Sequence, residues 1–275
     1  MFDFLRPSHY HHNHDTTIHD FTQPTALLLL NNQAAFAHPF VPGPTLSRSN
    51  LLFEVNLTSL LAAFRVAREA TSSSSSVSSG LGSSSPSILA RDHKDKDKNK
   101  RKDEDEEDVK KNDSHLEIIH IFHASENPAS PLHPQHPLKG VRPLDFARPL
   151  LPDADHHNDT EPTNDEGEKV LWQTLNSSAP ISPDLEAHLR QRGIRQLLVG
   201  GLTTDHAVST TVRMAANMRL VDPGNIVLVA DATATWAKAG IDAETVHRVS
   251  VASLEGEFAE VMRTEDVVKA LRRVR

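Results

Sequence analysis

Residues Gln196 to Met218 read QLLVGGLTTDHAVSTTVRMAANM, and this stretch decides the fold. Gln196-Leu197-Leu198-Val199 is a short apolar run without alternation, the pattern of a strand buried on both faces of a parallel sheet. It runs into Gly200-Gly201, and the residues from about Asp205 to Met218 then predict a helix. The same strand-then-helix order repeats downstream. Ile226 to Val229 predicts a strand, Glu244 to Leu254 a helix, and Glu265 to Val274 a last helix.

Upstream, Thr25-Ala26-Leu27-Leu28-Leu29-Leu30 predicts a buried strand that ends in the polar pair Asn31-Asn32. Pro39, Pro42, Gly43 and Pro44 then read as a loop. From Ser49 onward, Leu52, Val55, Leu60, Ala63, Phe64 and Ala67 recur near helical spacing, with Glu54, Arg65 and Arg68 between them. That is an amphipathic helix packed on a sheet. Glu117 to His123 predicts a β-rich strand. A proline-rich loop, Pro128 to Pro152, and an acidic segment to Glu168 follow. Val170 to Leu175 predicts another strand, and Asp184 to Arg192 a short helix stopped by Gly193. Strands alternating with helices across short loops predict an α/β fold. It is doubly wound, with a mostly parallel sheet and helices on both faces in a Rossmann-like three-layer arrangement.

Two stretches carry no such pattern. Residues 1–23 hold His9, His11, His12, His14 and His19 without fixed spacing or acidic co-ligands, so they are expected to be a disordered polar tail rather than a metal site. Residues 71–114 are first serine-rich, then a block of lysines, then a block of acids. Such a composition buries too little surface to offset chain entropy, and a disordered insertion is expected there. Residues 24–275 otherwise form one domain.

Composition narrows the function classes. A formal charge of −8 argues against nucleic-acid binding, which wants a basic face. With no cysteine, disulfides, thiolate metal sites and a cysteine nucleophile are all excluded. No run approaches the length of a membrane span and the amino terminus lacks a signal-peptide core, so a cytoplasmic protein without membrane contact is expected. His120 and His123 fall on opposite faces of their strand, which argues against a shared metal. His247 reads as a satisfied helix histidine. Neither metal nor cofactor is expected.

Three segments together carry a resemblance: Val199 to Asn217; Val229-Ala230-Asp231-Ala232-Thr233-Ala234 with Glu244 to Ala259; and Thr25 to Phe36. They resemble the isochorismatase-like cysteine hydrolases. The resemblance extends through Ser49-Asn50 and Ser130 to Pro134 and covers about 210 residues, all but the tail and the insertion, a single-domain length. It implies a carboxylate at the end of the first strand that takes a thiol proton, and a lysine at the end of a middle strand that orients substrate. It also implies a cysteine at the start of the helix after Gly-Leu-Thr-Thr that attacks a carbonyl. Isochorismatases proper dispense with the thiol and run general-acid chemistry from the aspartate.

In this chain the three positions are Asn31, Gln173 and Ala207. An amide does not exchange protons near neutrality, Gln173 carries no charge, and Ala207 has no nucleophilic atom. The resemblance thus implies a catalytically silent protein with a retained small-molecule or anion pocket. Its contacts would come from Phe36, Leu202, Thr203, Thr204 and His206, with the turn amides Thr203 to Ala207 as oxyanion donors, often across a cis peptide in this family. Asp205 is expected to cap the following helix. Association as a homodimer or larger homo-oligomer is also implied. Two alternatives stand beside this reading. One is an active hydrolase of a small amide or vinyl ether using displaced groups. The other is an interaction protein acting through the charged insertion.

Overall fold

The computed structural model describes residues 21–37, 48–75, 115–151, 167–174 and 181–274. Six strands form one sheet: β1 (Thr25–Leu30), β2 (Leu116–His123), β3 (Lys169–Gln173), β4 (Gln196–Leu202), β5 (Ile226–Ala234) and β6 (Glu260–Met262). Their order is β3-β2-β1-β4-β5-β6, and every pairing is parallel. The chain leaves β1 first toward β2 and β3, then toward β4, β5 and β6. The order therefore reverses between β1 and β4, the crevice where open α/β sheets hold ligands.

The α-helices among the described residues are α1 (Ala34–Ala37), α2 (Phe53–Ser75), α3 (Pro183–Gln191), α4 (Ser209–Asn217), α5 (Ala243–Ala252) and α6 (Thr264–Leu271). Alternation along β1 sorts the layers. Leu27 and Leu29 pack with Phe53, Leu57, Leu60 and Phe64 of α2 and with Val267 and Leu271 of α6. Ala26, Leu28 and Leu30 pack on the opposite face with Leu185 and Leu189 of α3 and Val212 and Ala215 of α4. This is the doubly wound α/β architecture.

Several boundaries differ from expectation. Phe21 is buried in the α2-side core, and its carbonyl lies 2.9 Å from His115 Nε2, so order begins inside the expected tail, of which residues 1–20 lie outside the described residues. Helix α2 runs through Ser75, so the first five residues of the expected insertion are helical, and 76–114 lie outside the described residues. There Thr71 Oγ1 and Ser72 Oγ both donate to the Arg68 carbonyl, a local bond that lets hydroxyl residues sit in a helix. The buried face of α2 is Phe53, Leu57, Leu60, Leu61, Phe64 and Ala67, whereas Leu52 and Val55 are each 62% exposed. The stripe is rotated from the one the spacing suggested, because apolar residues stand on both sides of this helix.

Gly201 is where the sheet tolerates only glycine. Its φ is +114°, and an added Cβ would lie 2.2 Å from the Leu30 carbonyl oxygen. The β4–β5 register shifts between Val199 and Gly201, so β4 is pressed onto β1 just before the turn that carries Ala207.

Candidate functional site at the carboxyl edge of the sheet

The amide residues Asn31, Asn32 and Gln33 follow β1 directly, and their fates diverge. Gln33 is wholly structural: its Nε2 donates to the carbonyls of His123 and Val141, and its Oε1 accepts from His123 N. It locks the end of β2 to the loop that returns beside β1. Asn31 has φ 50°, a left-handed conformation that Asn and Asp adopt more readily than most residues. Its backbone is held on both sides, N–H to Ile121 O and carbonyl to Gln33 N–H. Its side chain is 3% exposed and forms no hydrogen bond among the described residues. Asn32 is fully buried, and neither its Oδ1 nor its Nδ2 has a partner among the described residues.

Gln173 ends β3, in register with His123 and 8% exposed, with no side-chain hydrogen bond among the described residues. Its alternation with Trp172 turns it toward the same sheet face as Leu171, which packs with the α3/α4 core. Ala207 lies beyond β4 and is 1% exposed. Asn31 and Ala207 thus follow β1 and β4, and Gln173 ends β3, all at the carboxyl edge of the sheet. One strand separates β3 from β1, so their ends stand about 10 Å apart across the sheet, about the span of a small ligand.

The turn after β4 is more constrained than a plain helix start. The Leu202–Thr203 peptide is cis, and Thr204–Val208 forms a π-helical turn before α4 begins at Ser209. The Thr203 carbonyl accepts from both His206 N and Val208 N, so one of the amides expected to face an anion, that of His206, is already engaged. Leu202 is fully buried in the α2-side core, which leaves it only its backbone to offer a ligand. Thr204 is buried too, its Oγ1 2.9 Å from His247 Nδ1. Burial pushes the His247 pKa down against a smaller opposing effect of Glu244, so this imidazole is neutral at neutral pH. It is the satisfied helix histidine that the sequence suggested. Phe36 is partly buried against the α2-side core, and its carbonyl accepts from Trp236 Nε1.

Asp205 does not cap the helix. Its Oδ1 accepts from Thr235 Oγ1 and its Oδ2 from Lys238 Nζ, and His206 Nδ1 lies 2.8 Å from Oδ2. Burial alone would raise its pKa, but the bonds from His206, Lys238 and Thr235 outweigh that and hold the carboxyl far below its ordinary range. Lys238 Nζ also lies 2.9 Å from His206 Nδ1. The sequence pointed to Asp205 and His206 but not to Lys238, about thirty residues away in an irregular segment. Asn32 was equally hidden, because nothing local separates a buried amide from a turn residue.

In sequence and in fold the chain is similar to known proteins. A family model described as the isochorismatase domain matches residues 95–266. The isochorismatase family protein YrdC of Bacillus subtilis (strain 168) is 31% identical over 156 residues, covering 55% of this chain and 72% of that protein. Among solved structures, an isochorismatase-family protein from Chromobacterium violaceum is 25% identical. That match spans 91% of this chain and 94% of the other, with a TM-score of 0.58. A cysteine hydrolase from Pseudomonas syringae pv. phaseolicola, 16% identical with a TM-score of 0.57 over 92% of this chain and 94% of its own, shares the fold.

Proposed function

The chain belongs to the isochorismatase family, and we propose that it is a silent member of it, keeping a small-molecule pocket at the carboxyl edge of the sheet without hydrolysing what binds there. The observation that carries this reading is the methyl group of Ala207, buried at the helix start where the resemblance calls for a nucleophile. Asn31 and Gln173, uncharged amides where an acid and a cation are called for, close the thiol route and the general-acid route together. Members of such a set act as a unit, so losing all three leaves only what positioning and backbone donors supply. The amide of Asn32, buried without a partner among the described residues, supports a retained pocket, since such a group calls for a ligand or a water.

The Asp205–Lys238–His206 cluster favours a second reading, an active hydrolase with displaced groups. It is the weaker one. A general base works best with a pKa near the operating pH, and Asp205 is held far below it.

The test compares the protein with its triple variant Asn31→Asp, Gln173→Lys, Ala207→Cys. Nicotinamide and isochorismate serve as substrates and iodoacetamide as a thiol probe. The triple variant should show a thiol of depressed pKa that alkylates quickly, and the single reversions much less. Turnover by the unmodified protein above about one per second, within the usual enzyme range, overturns the silent reading.

A further inference from the structure

On the other face of the sheet, away from Gln173, lies a cavity of about 700 Å³. Strand alternation separates the two places. His120 pairs in register with Val170 and Phe122 with Trp172, and these side chains face the α2 side, whereas Leu171 packs into the opposite core. The floor is aromatic: the rings of Phe122 and Trp172 lie 5.3 Å apart at 54°. Pro143, Leu144 and Leu151 wall it, and Arg142 and Arg148 stand among the lining residues.

Two features distinguish this cavity from an ordinary surface dent. Trp172 is 53% exposed on an edge strand, although its aromatic neighbour Phe122 is buried. Arg148 is paired with Asp145 at 2.5 Å, but Arg142 has neither an ion pair nor a side-chain hydrogen bond among the described residues. An open aromatic floor beside an unengaged guanidinium is a recognisable chemistry. The ring faces take a flat apolar body, and the planar fork takes a carboxylate through two parallel hydrogen bonds. The volume suits a ligand of one or two rings.

We propose that this cavity is a binding site for a monocarboxylate with an aromatic body, seated on Phe122 and Trp172 with its carboxylate on Arg142, distinct from the Asn31–Gln173–Ala207 edge. An acid matches Arg142 better than a neutral ring does, and the overall charge of −8 makes a cationic lining residue at an open apolar cavity the more selective feature.

The probe is naphthalene-2-carboxylate, titrated into the full chain carrying Trp236→Phe, so that Trp172 alone reports by fluorescence. Saturable quenching is expected. Arg142→Gln, a change at an exposed position, should weaken binding by about tenfold or more, the worth of a charge-assisted pair. The uncharged naphthalene-2-carboxamide should bind the protein and Arg142→Gln alike. Equal affinity of protein and Arg142→Gln for the carboxylate overturns the proposal. So does absence of saturable quenching. A dimer in sedimentation that dissociates on Trp172→Asp and excludes naphthoate also overturns it, identifying a second copy as the occupant.

Discussion

Replacing Glu168 by Gln should remove about 3 kcal/mol of stability at neutral pH, and the loss should vanish in acid. Glu168 lies just before β3 with its side chain almost fully buried. Arg65 of α2 reaches it with Nε at 2.6 Å from Oε1 and Nη2 at 2.9 Å from Oε2. Leu150 N donates to Oε2 at 3.0 Å, and His120 Nε2 of β2 lies 2.8 Å from the same oxygen. One carboxylate thereby ties α2, β2, β3 and the loop before β3 together. Burial alone raises its pKa, but the bonds from His120, Arg65 and Leu150 prevail and bring it down from 4.5 to about 2.

That fall corresponds to roughly 3 kcal/mol of extra stability in the ionised state. Because the folded pKa is the lower one, this stability is fully present above about pH 4.5 and is lost as pH falls toward 2. Breaking a buried pair by removing one partner costs roughly 3–5 kcal/mol, an independent route to the same size. Gln keeps the shape and discards the charge. Urea titrations followed by circular dichroism at several pH values between 2.5 and 7 measure the difference between the two proteins. It should be about 3 kcal/mol at pH 7 and under about 1 at pH 2.5. Taking the difference cancels other depressed carboxylates such as Asp205 and Glu117. A difference that stays constant with pH, or one below about 1 kcal/mol at pH 7, would refute the claim that the ionised carboxylate holds these elements together.

Two further outcomes follow from the packing. Gly201→Ala should abolish folding or lower the melting temperature by about 8 °C or more, because its Cβ meets the Leu30 backbone. Gly200→Ala, whose Cβ would meet Ala232 O and Leu57 Cδ1 no closer than 3.3 Å, should be far milder, and equal effects in thermal unfolding would contradict the close-approach argument. Replacing residues 76–114 with a short Gly/Ser linker should leave the melting temperature within about 4 °C, since their composition buries little. Cooperative loss of the fold would show that they are structural.

The sheet was legible because β1, β4 and the first half of β5 are buried on both faces and so carry the apolar runs Ala26 to Leu30, Leu197 to Val199 and Ile226 to Val229. Strand β2, interrupted by Glu117 and His120, was legible by its β-rich composition. Helix α2 was legible as a helix but not in its rotation. Leu51, Leu52, Val55 and Val66 are apolar and exposed, so periodicity alone offered more than one candidate face. What chose between them was the pair Leu27 and Leu29 across the interface, a contact that no local window contains. The end of α2 was hidden for a related reason. A serine-rich tract is a poor helix former, yet a helix already anchored by Phe64 and Ala67 carries its first hydroxyl residues along by bonding them back to Arg68.

The site was legible at its backbone and illegible in its partnerships. Asp205 looked like a cap by residue type and position. Thr235 and Lys238, distant in sequence, claim its oxygens instead, and local propensity gives way to tertiary contact. The three amides after β1 make the same point more sharply. Read as a string, Asn31-Asn32-Gln33 is one polar cluster, but Gln33 satisfies every polar atom of its side chain while Asn32 satisfies neither among the described residues. A buried amide left unpaired costs about 1–3 kcal/mol. A fold kept only for its own stability gains by replacing such a residue with an apolar one. The cost at Asn32 is recovered when something polar meets it, a ligand or a bound water. On the proposed reading, a methyl group at Ala207 and binding at the same edge are therefore compatible.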